Sequence, residues 1–212
     1  MKPPLTRRRR TVGRPGAMVV IISGPSGVGK DTIIRILRRR PADPLRCFVI
    51  TYKTRDPRPE ETDGVDYQFV GLDEFAALHR AGALLEASEV HGHWSGTPRD
   101  QVVAALTSGK DAVLKIDVQG SDKVKALIPE AVRIFVAPPS ADVRRARLAD
   151  RGTETADEQA RRNLDADVEM GRQHDFDYVV VNETDRAAAT AHEIDRIIRE
   201  EHARHPERRI RL

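Results

Sequence analysis

One cysteine, Cys47, occurs in 212 residues, so an intramolecular disulfide is excluded and a reducing compartment, the cytoplasm, is expected. With no second thiol or motif beside it, Cys47 reads as a small core residue. No stretch approaches the roughly 18 consecutive apolar residues of a membrane span. The N-terminus lacks the apolar segment of a secretory signal, although its Arg-rich, acid-free character also resembles a transit peptide. Aromatic residues are 4% and charged residues 33%, which implies a highly charged surface. A net charge of only +3 gives no reason to expect a specific nucleic-acid partner. The charge is nevertheless uneven. Arg7 to Arg10 lie in a Pro/Arg/Gly-rich leader, and Arg208, Arg209 and Arg211 close the chain. Such runs are commonly solvated tails, with polyanion binding as the functional alternative. Residues 1–17 are therefore expected to be a disordered leader, with Met18 as an alternative start just before the first apolar run.

The length suits one domain with insertions. Apolar runs predict strands at 19–23, 47–51, 112–117, 132–137 and 177–181. Helical patterns fall at 30–40, 98–108, 120–127, 140–150, 156–172 and 185–202. This alternation implies an α/β fold, three-layered, with a parallel central sheet flanked by helices. Two regions break the rhythm. Residues 52–97 are rich in Pro, Gly, Asp and Glu and read as an inserted substrate-binding region. Residues 144–164 are Arg-dense around Arg151-Gly152-Thr153 and read as a mobile flap. That leaves a core of 18–51, 98–143 and 165–212. The segment 185–212 either packs on this core or pairs with another subunit, so a homodimer stays open.

Gly24-Pro25-Ser26-Gly27-Val28-Gly29-Lys30-Asp31-Thr32 follows the apolar run Val19 to Ile22 and precedes an amphipathic one. That order, strand then glycine loop then helix, is what a phosphate-binding loop needs. Its N–H groups converge at a helix N-terminus, where the dipole favours anions, and Lys30 adds a positive charge over the terminal phosphates. The alternative is a glycine-rich turn without a ligand. Asp31 stands where Ser or Thr normally holds Mg²⁺. A carboxylate is itself a Mg²⁺ ligand, so Asp31, helped by Thr32, is expected to bind the metal; an Asp that merely favours the helix N-terminus is the competing reading. Asp117 ends the buried run Ala112 to Ile116, a position suited to a carboxylate near Mg²⁺ or to a helix cap. Arg55 and Arg58, stiffened by Pro57 and Pro59, offer rigid guanidinium forks for a phosphate, or else form an exposed basic loop.

Together these segments resemble the guanylate kinase family across about residues 18–200. The resemblance rests on Gly24 to Lys30, on Thr54-Arg55-Asp56-Pro57-Arg58 followed by Glu61, and on Gly64-Val65-Asp66-Tyr67-Gln68-Phe69. Leu84-Leu85-Glu86, Ile116 to Gly120, Arg147, Arg151 to Thr155, Arg162 and Val179 to Asn182 complete it. It implies a P-loop nucleoside-monophosphate-kinase fold, and transfer of the γ-phosphate of ATP, with Mg²⁺, to GMP or dGMP. Residues 24–32 would hold the ATP phosphates, and Asn182 would lie near the adenine. Arg55, Arg58 and Tyr67 would hold the GMP phosphate. Glu86 would accept from guanine N1–H and N2, with Thr51 and Thr97 around the base and Asp117 beside the GMP and the metal. Arg147, Arg151 and Arg162 would close over the phosphates, making 144–164 a lid and 52–97 the GMP-binding region.

The chain departs from the pattern at three places. Besides Asp31, Ser95 replaces a second phosphate-contacting tyrosine, a contact that Tyr52 or His93 would have to rebuild. Lys115 replaces an acid two residues before Asp117, as an extra phosphate contact or an ion-pair partner. Two rival readings exist, a non-catalytic guanylate-kinase-like interaction domain and a ribose-bisphosphate phosphokinase, whose loop can also read Gly-Lys-Asp. The intact glycines and Lys30 weigh against the first. Glu86, Asp66-Tyr67 and Ile116 to Gly120 weigh against the second.

Overall fold

The computed structural model describes residues 10–40, 45–149 and 156–212, and the side chains of all of these except 149 and 156–162. In chain order the first elements are β1 (Thr11–Val12), β2 (Val19–Ser23), α1 (Lys30–Arg39), β3 (Arg46–Phe48), β4 (Tyr52–Lys53) and β5 (Gln68–Phe69). There follow α2 (Leu72–Arg80), β6 (Leu84–Val90), β7 (His93–Pro98), α3 (Arg99–Thr107), β8 (Asp111–Lys115) and α4 (Val118–Leu127). The chain ends with β9 (Val132–Ala137), α5 (Ala141–Ala149), α6 (Ala156–Gly171), β10 (Tyr178–Val181), α7 (Ala187–Arg204) and β11 (Ile210–Arg211).

Strand β2 is buried along its whole length and lies at the centre of a parallel sheet ordered β10-β9-β2-β8-β3. Side chains alternate across a strand, so β2 feeds two cores at once. Val20 and Ile22 join Ile33, Ile34 and Leu37 of α1 and Ile194 and Ile198 of α7. Val19 and Ile21 join Val102 and Leu106 of α3 and Val124 of α4. Helices on both faces explain why the strands read as continuous apolar runs rather than as alternating ones. In α1 the buried residues recur every three to four positions, the period of one helix face.

A second sheet, ordered β5-β4-β7-β6, spans residues 52–98, with β6 and β7 antiparallel. Sequence patterning did not find these strands. β4 and β5 are two residues long, and β6 and β7 carry Glu, Ser, His and Thr, so no apolar alternation marks them. Lys123 of α4 ties this sheet to the core by donating to the Ala87 carbonyl at 2.5 Å and the Ser88 hydroxyl at 3.1 Å.

The expectation of a free leader is corrected for residues 10–17. Strand β1 pairs antiparallel with β11, Arg10 N–H donates to Leu212 O at 2.9 Å, and Gly16 N–H donates to Arg208 O at 2.9 Å. Ala17 is buried. Arg208, expected as part of a solvated tail, pairs with Glu201. Backbone pairing between the two termini orders both, and composition carries no trace of such pairing. Residues 1–9 lie outside the described part.

One contact predicts a pH response. Buried Asp111 accepts from Met18 N–H at 2.9 Å and faces His202 Nε2 at 2.8 Å. That hydrogen bond raises the His202 pKa above its ordinary value. The folded form therefore holds the proton more tightly, so the pair's contribution is complete below about pH 6.5 and lost as pH climbs through the raised value. His202→Gln is expected to lower the melting temperature at pH 5.5 and to approach wild type by pH 9. A melting-temperature difference that does not change with pH would count against the pair.

Candidate active site

The glycine loop joins β2 to α1 at the carboxyl end of the central strand. Two glycines there are sterically required. Gly24 has φ +135°, and a Cβ on it would lie 2.2 Å from Val136 O. Gly29 has φ +92°, and a Cβ would lie 2.7 Å from the Asn182 amide nitrogen. Asn182 is placed behind the loop, where its side chain donates to Val28 O at 2.7 Å and accepts from the Thr190 hydroxyl at 2.9 Å. Its amide thus buttresses the loop. Lys30 Nζ donates to Gly24 O and, at 2.9 Å, to Pro25 O. Burial lowers the Lys30 pKa, against the pull of Glu169, Asp31 and Asp117.

Asp31, at the first turn of α1, is matched by a cation. Lys115 Nζ, at the end of β8, lies 2.5 Å from Asp31 Oδ1, and the Tyr67 hydroxyl donates to the same oxygen at 3.1 Å. Of the two roles read for Lys115 in the sequence, the ion pair is the one seen. Tyr67, next to β5, is buried and its pKa is pushed up to about 12, by burial first and by Asp31 second. Thr32 is exposed and lies outside the cleft lining.

Across the cleft, the Arg55 fork donates to both Glu61 oxygens at 2.7 and 2.6 Å. Arg58 N–H donates to Glu61 at 2.9 Å. Burial would raise the Glu61 pKa, but the Arg55 and Arg58 hydrogen bonds carry it below the usual range. Glu61 thus holds both arginines in place, with Arg55 also stacked 5.5 Å over the Tyr67 and Phe69 rings. The loop, Asp31, Lys115, Arg55, Arg58 and Tyr67 all line one cleft.

Glu86 of β6 lies deeper, only 6% exposed. It accepts from the Thr97 hydroxyl at 2.7 Å and the Ser88 hydroxyl at 3.1 Å, and burial raises its pKa. Thr51 is buried nearby in sequence to β4, with its carbonyl accepting from Gln68 N–H at 2.9 Å. Gly120 backs Glu86 so closely that a Cβ would come within 3.0 Å of the carboxylate. Asp117 lines the cleft and also caps α4 by accepting from Gly120 N–H at 2.8 Å. Both roles read for it in the sequence are therefore open to one side chain.

The arginines of the expected lid are only partly in view. Arg147 of α5 donates to Asn182 O at 3.2 Å, outside the cleft lining. Arg151 and the side chain of Arg162 lie outside the described residues. Arg144, which sequence reading passed over, is fully buried and joins α5 to α6 through Asn163 and Asp167, each at 3.1 Å. Glu169 of α6 was also missed. It lines the cleft beside Lys30, and burial pushes its pKa up to about 7. The one available signal was its place three residues after Ala166 and six after Asn163, which sets it on the inward face. Among the described residues, no three His, Cys, Asp or Glu side chains gather into a metal site of their own.

Residues 16–201 match the family model described as guanylate kinase. The chain is 48% identical over 172 residues to the guanylate kinase of Mycobacterium sp. (strain MCS), covering 80% of this chain and 86% of that protein. It is 46% identical over 176 residues to that of Rhodococcus jostii (strain RHA1), covering 82% and 84%. A solved guanylate kinase from Anaplasma phagocytophilum superposes with a TM-score of 0.72 at 29% identity, covering 91% of this chain and 88% of that one.

Proposed function

The chain belongs to the guanylate kinase family, and from that premise we infer that it transfers the γ-phosphoryl group of ATP to GMP, releasing ADP and GDP. One observation carries this reading: a single cleft sets a phosphate-binding loop opposite an arginine–tyrosine clamp, and a buried carboxylate, Glu86, feels the charges of Asp117 and Lys53 in that cleft's lining. We take dGMP as a second acceptor, because base and phosphate supply the recognition. Phosphoryl transfer asks a protein chiefly for in-line positioning and charge neutralisation.

This chain's residues divide that work. The N–H groups of residues 24–30 hold the ATP phosphates, and Lys30 turns from its loop carbonyls onto the β and γ groups. Arg55 and Arg58, oriented by Glu61, and Tyr67 hold the GMP phosphate. Glu86 accepts from guanine N1–H and N2. Adenine presents no such donor pair, so AMP would leave a buried carboxylate unpaired. Arg147, Arg151 and Arg162 belong to the lid segment 144–164, which would exclude water and strengthen the electrostatics inside. Residues 52–97 form the GMP-binding region.

Mg²⁺ takes oxygen ligands, keeps several waters and is commonly held by one or two carboxylates together with substrate phosphates. Asp31 and Asp117, the two aspartates lining the cleft, fit that requirement. Thr32 is exposed and outside the cleft lining, so the reading rests on the two aspartates. When bound with ATP, the ion would neutralise phosphate charge. A coupled ADP-release assay with GMP, dGMP, AMP and ribose bisphosphate tests the function. Turnover with GMP and dGMP is expected; folded protein that turns over only ribose bisphosphate, or nothing, would refute it. Among the described residues no helix is long and apolar enough to cross a membrane.

A further inference from the structure

Ser95 of β7 is 2% exposed, too short and too buried to reach a phosphate in the cleft. Its cross-strand neighbour is Lys53 of β4. Directly opposed residues in an antiparallel pair stand on the same face, so a long cation accompanies the short hydroxyl. Lys53 Nζ lies 5.4 Å from the centroid of the Tyr67 ring. A second lysine approaches that ring from the central sheet, with Lys115 Nζ 3.8 Å from the same centroid. Both line the cleft between the glycine loop and the Arg55/Arg58 clamp.

We propose that Lys53 and Lys115, gathered at the Tyr67 ring, are a paired phosphate-binding site for the nucleoside monophosphate, at the point where the donor and acceptor phosphates meet. This deepens the GMP-kinase reading and rests on it. Each ammonium has three N–H donors, so the bond from Lys115 to Asp31 leaves others to turn toward a phosphate. The charge of the lining agrees: Lys30, Lys53, Arg55, Arg58 and Lys115 outnumber Asp31, Asp117 and Glu169. Burial holds the Lys53 pKa down to about 8, so an anion brought beside it would favour the charged ammonium. The pair supplies the contact that Ser95 cannot, which is a different solution from Tyr52 or His93.

Calorimetric titration with GMP and with guanosine, both without ATP, tests the pair. Lys53→Met and Lys115→Met are each expected to weaken GMP about 10-fold or more. Guanosine, which has no phosphate, should bind each variant within about twofold of wild type, and Lys115→Arg should restore most of the GMP affinity by returning the charge. The proposal is overturned if the Met variants bind GMP as wild type does. It is equally overturned if they lose guanosine and GMP affinity alike, since that marks a structural effect. Wild-type turnover of GMP is measured alongside, so failure of the kinase reading is told apart from failure of the lysine pair.

Discussion

Lys30→Met is expected to lower kcat by about 10²–10³-fold, the usual loss when one preorganised cation or donor at the developing charge is removed. Lys30 is half-buried and bonded to its own loop at Gly24 O and Pro25 O, so the ammonium is already stationed at the phosphate cradle. Methionine has nearly the same length and no charge, and it fills the same half-buried space, so the fold should survive. Under the proposed function the GMP phosphate would be held across the cleft by Arg55 and Arg58 rather than by Lys30. The GMP KM should accordingly change little while kcat falls. Steady-state kinetics at saturating ATP separates the two constants. A loss below about tenfold would remove Lys30 from the transfer step.

Glu86→Gln is expected to reduce kcat/KM for GMP by about 10²–10⁴-fold, the equivalent of two charge-assisted hydrogen bonds at ~1.5–3 kcal/mol each. The amide places a donor against a guanine donor and keeps only one acceptor. The Thr97 and Ser88 hydroxyls can rotate to suit an amide, so the local packing should persist. Stability should move the other way. Burial raises the Glu86 pKa, so the folded state grips the proton and loses stability as pH rises through that raised value. At pH 8 the glutamine variant, with no charge to bury, should melt no lower than wild type. A variant that loses both GMP turnover and thermal stability would mark Glu86 as a structural residue.

The core was legible because its signals are local. Burial on both faces makes β2, β8 and β9 continuous apolar runs, and each was placed from those runs alone. The second sheet was not, because its strands are short and polar and owe their shape to partners far away in sequence. The site divided in the same way. The glycine loop declares itself through spacing, and Arg55, Arg58 and Tyr67 through a known motif. Glu169 and Arg144 declare themselves through neither, since a charged residue on a helix looks solvated until another element covers it.

Taken alone, the chain's residues determined the α/β class, the phosphate-binding loop and the kinase family, because each depends on residues close together or in a fixed order. Tertiary structure decided what those residues do to one another. It set Lys115 on Asp31, Glu61 across two arginines, Asn182 behind the loop and β1 against β11. All but the Glu61 contacts, which span three and six residues, join groups far apart in sequence. Charge pairing and backbone hydrogen bonding act over a few ångströms of space, and only folding brings these groups within that range.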